Sequence, residues 1–207
     1  MNNQVSANIA FLVLGIVSFI LAVRALYVYK LSKSDYLFVI GVAMADNAIA
    51  ITASYLQDIH LISWNGQLSW YLGSILAVSF LVMGSWATSQ QQITTIKHWL
   101  IILTALYFIQ TLLTPLMPQF PNPYIPAALN IIRSTIALIG SIRYFMLYSS
   151  KNTRFTLLMC IAFLLIGAGF GVLTPQIFDT SLDIFLTCGY SLRLVGYTVL
   201  LTAYTRT

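Results

Sequence analysis

Among the residues able to hold charge or pair strongly inside runs of sequence otherwise suited to lipid are Asp46, Asn47, Gln110, Asn130, Arg133 and Arg193. Charge at mid-membrane costs about 2.5–3.5 kcal/mol per residue on insertion scales, so each ion there asks for a partner, a cavity or a function. Arg133 follows Asn130 by three residues, and on a helix the two share one face. A guanidinium turned into a helix bundle suits an anion, whether carboxylate, phosphate headgroup or polarised carbonyl. Gln110, at similar depth in the preceding segment, completes the candidate ligand site of Arg133, Asn130 and Gln110.

Asp46 and its neighbour Asn47 pose a different question. Asp46 is about ten residues from the outer end of its segment, roughly 15 Å at the helical rise, and Arg193 is about eleven from the outer end of the last. Equal depth predicts a buried ion pair, Asp46 with Arg193 and Asn47 beside them. Such a pair can fix helix register and do nothing more. Arg24 and Arg143, close to inner segment ends, read as snorkelling anchors.

The same inventory excludes several chemistries. There are two histidines, His60 and His98, on opposite sides by the topology below, so no metal site is expected. Serines are plentiful, but none has a histidine at compatible depth to act as base. The last segment lacks the lysine that a retinal protein of the usual kind requires. No catalytic residue is assigned, any cofactor is left unidentified, and a non-enzymatic role is favoured. Cys160 and Cys188 fall in apolar segments and read as small buried hydrophobes rather than a disulfide.

The elements that must position these residues are legible from composition. The chain of 207 residues is 59% hydrophobic and 7% charged, far from the quarter or so of charged residues usual in soluble domains. Seven apolar runs reach the roughly 20 residues that cross a bilayer, at 9–29, 36–56, 66–87, 99–117, 126–148, 155–174 and 182–204. Continuous rather than alternating hydrophobicity rejects a β-barrel. The fold class is all-α: a polytopic membrane protein, one seven-transmembrane-helix bundle over residues 1–207.

Lys30 and Lys33, Lys97 with His98, and Lys151 with Arg154 occupy the first, third and fifth connections, with Arg206 at the end. The second, fourth and sixth connections have neither Lys nor Arg. The positive-inside rule then places the N-terminus outside and the C-terminus in the cytoplasm. Trp64, Trp70, Trp86 and Trp99 fall near segment ends, as an interfacial belt would. The net charge of +5 is accounted for by these anchoring loops, so nucleic-acid binding is not expected. The expected setting is a prokaryotic cytoplasmic membrane.

"GAGFG" at 167–171 and the small residues of the second segment, among them Gly41, Ala45 and Ala50, predict close helix packing. "VRALYVYKLSK", ending the first segment, echoes "IRYFMLYSSKN", ending the fifth, with Arg24 over Arg143 and Tyr29 over Tyr148. A three-plus-one-plus-three repeat would have that form, although basic and aromatic residues collect wherever a helix meets the cytoplasm.

Three functions follow. The first is a binding or sensing module that holds a small anionic or amphipathic ligand within the bundle and signals through a membrane-protein partner, since little chain follows the last segment. The topology resembles the seven-helix sensor regions of bacterial signalling proteins, a likeness of topology alone. The second is a small-solute transporter, or a subunit of one, built on the repeat. The third is a structural or cofactor-holding subunit of a larger membrane complex.

Overall fold

A computed structural model describes residues 2–59, 65–117, 120, 122–179 and 183–205. His60, Trp64 and Arg206 lie outside the described residues, as does the side chain of Asp183. The described residues are all-helical, and seven helices are long and apolar enough to cross a membrane. The α-helices in order are α1 (Asn2–Ser32), α2 (Asp35–Asp58), α3 (Gly66–Trp86), α4 (Gln90–Leu113), α5 (Tyr124–Lys151), α6 (Arg154–Val172), α7 (Thr174–Phe178) and α8 (Asp183–Thr205), and all but the five-residue α7 are of membrane-crossing length.

The helix ends follow local chemistry. Asn65, Ser89 and Thr153 cap α3, α4 and α6, each side chain accepting the backbone N–H three residues on. After α1 and α5 the chain turns through a left-handed residue, Lys33 (φ 58°) and Asn152 (φ 47°). Each donates its N–H at 2.7 Å to the carbonyl four residues back, that of Tyr29 or of Tyr148.

Several boundaries differ from the sequence expectation, α1 among them, which runs Asn2–Ser32 rather than 9–29. Helix α4 starts at Gln90 rather than 99, because the Ser89 cap and the helix-tolerant run after it extend the helix beyond its apolar part. The stretch "TPQIF", expected as connection, is the short α7, opened by a proline in its first turn. Cys188 is exposed and Cys160 half-buried, against the expectation of two buried thiols, since hydropathy does not separate the faces of an apolar helix. Trp86 and Trp99 are exposed, whereas Trp70 is packed inside against Tyr71.

The chain forms two compact units. One combines Met1–Val17 with Asn122–Thr207, and in it α6 packs along both α5 and α8. The other is Ser18–Pro121, in which α2 lies along α3 and α4 touches both. Small residues permit the close approach in each. A Cβ built on Gly169 would lie 2.5 Å from Arg193 Cγ and 2.8 Å from the Gly189 carbonyl oxygen. One built on Gly73 would lie 2.6 Å from Ala50 Cβ.

A constant offset of 119 residues relates the burial patterns of three helices to those of three others. In α1, Phe11, Leu14, Ser18, Leu21, Ala22 and Ala25 are buried, and their counterparts in α5 are the buried Asn130, Arg133, Ala137, Gly140, Ser141 and Tyr144. Ile40, Ala43, Met44, Asn47, Ala50 and Ile51 of α2 pair in the same way with Met159, Ala162, Phe163, Ile166, Gly169 and Phe170 of α6. Trp70, Ser74, Ala77, Val78 and Leu81 of α3 pair with Gly189, Arg193, Gly196, Tyr197 and Leu200 of α8. The offset also carries Asp35, which opens α2, onto Arg154, which opens α6, and Lys33 onto Asn152.

Candidate functional site

In the unit built on α5, α6 and α8, two arginines are driven inside by the periodicity of their own helices. Arg133 lies on the buried stripe of α5 with Asn130 and Ala137, and Arg193 on the stripe of α8 with Tyr197 and Leu200. Both are 0% exposed, as is Phe170 of α6. The Arg133 guanidinium carbon sits 4.4 Å from the centroid of the Phe170 ring, and that of Arg193 sits 4.3 Å from the same centroid. The two guanidinium carbons are therefore within about 9 Å of each other, a range over which like charges interact strongly in a low-dielectric interior. Arg133 Nη2 donates to Asn130 Oδ1, and the Arg193 guanidinium also lies 5.8 Å from the centre of Tyr190. Tyr190 in turn packs on Phe11 of α1, ring centroids 4.9 Å apart.

This arrangement concentrates positive charge and directed N–H donors against aromatic rings. The faces of Phe170 and Tyr190 stabilise the cations through their ring quadrupoles. The planar forks offer paired donors of the kind that match carboxylate and phosphate oxygens. Phe170 and Tyr190 escaped sequence reasoning because an aromatic residue in an apolar helix carries no mark that separates a cation platform from core.

The expected association of Arg133 with Asn130 is thus present, while Gln110 belongs to the other unit. Gln110 lines a groove of about 420 Å³ between α3 and α4, with Phe80, Leu103 and Tyr107 among its walls. Its amide atoms are buried without a hydrogen-bond partner among the described residues. Asp46 also belongs to that unit, whereas Arg193 belongs to the first.

Asp46 and Asn47 use different faces of α2. Thr104 of α4 donates its hydroxyl to Asp46 Oδ2 at 2.7 Å, and Asn47 Nδ2 donates to Ser18 Oγ at 2.9 Å. Farther along α3, Ser69 Oγ lies 3.0 Å from the Tyr107 hydroxyl and 2.9 Å from Thr111 Oγ1. At one end of this unit Lys97 pairs with Asp35 at 2.6 Å, donates to the Tyr29 hydroxyl and lies 5.0 Å from the centre of Phe38. Lys97 thereby ties α4 to the turn between α1 and α2.

Among the described residues no group of three or more His, Cys, Asp or Glu could hold a metal ion. No family model matches the chain, and neither a curated protein nor a solved structure matches it.

Proposed function

We propose that the chain is a membrane-embedded binding or sensing module, N-terminus outside and C-terminus cytoplasmic, that holds a small anionic or amphipathic ligand and signals through a partner protein. The observation that carries this reading is the placement of Arg133 and Arg193, both fully buried, over the single ring of Phe170. A carboxylate or phosphate is the ligand chemistry that two neighbouring planar guanidinium groups recognise. Asn130 positions Arg133 from one helical turn away. A prokaryotic cytoplasmic membrane suits the short, basic connections.

The test is thermal unfolding of the purified protein in phosphatidylcholine nanodiscs, with and without butyl phosphate or butyrate. Binding to the folded state raises the midpoint as ligand is added. A rise that disappears in Arg133→Gln and in Arg193→Gln supports the site. No rise with either probe, or a rise unchanged in both variants, contradicts it.

The register match favours a second reading, a small-solute transporter. Transporters are often built from internal repeats, with the substrate held at the repeat interface. Accumulation of labelled butyrate or phosphate in proteoliposomes, absent from protein-free vesicles, would put this reading first.

A further inference from the structure

The common register allows each buried polar residue to be compared with its counterpart 119 residues away. Arg133 stands where α1 has Leu14, Asn130 where it has Phe11, and Arg193 where α3 has Ser74. In the other direction Asp46 falls opposite Leu165, and Asn47 opposite Ile166. Burial is shared at these positions except Asp46, whose counterpart Leu165 is only half-buried; the chemistry is not shared.

We infer that α1–α2–α3 and α5–α6–α8 are two copies of one three-helix sequence pattern joined by α4, a pattern whose first helix is divided between the two compact units, and that Arg133 and Arg193 are chemistry added to the second copy rather than parts of its scaffold. Any two amphipathic helices share a 3.6-residue period and can be slid into phase. Here a single offset has to serve three pairs of helices at once, across connections of different sequence. It also serves the left-handed turn residues Lys33 and Asn152 with their Tyr29 and Tyr148 acceptors. It nearly superposes one close helix contact as well: Ala50 against Gly73 in one copy, Gly169 against Arg193 in the other.

A position that one copy fills with leucine does not need a guanidinium in order to fold. The inference about scaffold stands on the register alone, while the role of the arginines rests on the anion site proposed above. An even number of crossings separates α1 from α5, so the two copies enter the membrane in the same direction.

The test uses the full chain in nanodiscs. Arg133→Leu restores the counterpart residue, and Arg193→Met keeps the apolar stem without the charge. Both are expected to keep the wild-type helicity and to unfold within a few degrees of wild type, while losing the response to butyl phosphate. The control Leu14→Arg, which brings a charge to the first copy, is expected to lower the midpoint well beyond either. If Arg133→Leu is as damaging as Leu14→Arg, the copies are not equivalent and the inference falls. If both arginine variants are stable and still respond to butyl phosphate, the added-chemistry half falls together with the anion site, and the duplication stands.

Single cysteines in a Cys160→Ala/Cys188→Ala background provide a second check, independent of ligand. Lys33→Cys and Asn152→Cys are expected to react with an impermeant maleimide from one side of the membrane, and Ile59→Cys and Phe178→Cys from the other. Labelling of Lys33→Cys and Asn152→Cys from opposite sides would overturn the parallel duplication.

Discussion

Arg133 and Arg193, sixty positions apart on different helices, lie over the same phenylalanine ring at 4.4 and 4.3 Å from its centre. Two fully buried cations are thereby brought together by one apolar side chain, and the energetics of the unit depend on how Phe170 presents its face.

Phe170→Leu removes that face while retaining most of the apolar volume. The lost ring contacts and imperfect repacking are expected to destabilise the protein by about 1–3 kcal/mol. Phe170→Tyr keeps the quadrupole and should cost less if its hydroxyl finds a partner. Chemical unfolding of both variants in the same detergent checks the order.

Arg133→Lys keeps the charge but gives up the planar fork and the flat stacking surface. Binding of butyl phosphate should weaken by about tenfold, equivalent to roughly 1.4 kcal/mol. Equal affinity in the lysine variant would show that charge alone suffices. Titration of the thermal midpoint reads the difference.

Gly169→Ala should be among the most damaging conservative changes. Its Cβ would meet Arg193 Cγ at 2.5 Å and the Gly189 carbonyl oxygen at 2.8 Å, so α6 and α8 would have to separate, at about 1–3 kcal/mol. Gly171→Ala, only two residues on, meets nothing closer than Ser134 Oγ at 3.3 Å and should cost far less. Comparison of their unfolding midpoints tests the packing directly.

Thr104→Val deletes the donor to the buried Asp46 and leaves a carboxyl with an unmet bond. The expected cost is about 1–3 kcal/mol. Combining it with Asp46→Leu, which removes the other polar partner, should recover part of that loss. A double mutant no more stable than Thr104→Val alone would show that the hydroxyl acts elsewhere.

Hydropathy made the seven long helices legible because a bilayer demands length and apolarity, and both can be read along the chain. It was silent on helix outside the apolar runs: the start of α4 at Gln90 is signalled by the Ser89 cap, not by hydrophobicity. The pairing of Arg133 with Asn130 followed from three-residue spacing, which fixes a shared face. Depth served less well, since it gives the height of Arg193 but not the direction it faces. The meeting of Arg133 and Arg193 at Phe170 depends on that direction. The echo at Tyr29 and Tyr148 was visible as a short likeness, but its extension through three helices appears only in which positions are buried.

The most direct measurement is equilibrium binding of radiolabelled butyl phosphate to the purified protein in phosphatidylcholine nanodiscs, wild type beside Arg133→Leu. A single saturable site in the wild type that is absent from a normally folded Arg133→Leu is the predicted result. Equal binding by both proteins, or none by either, would contradict an anion site at the two arginines.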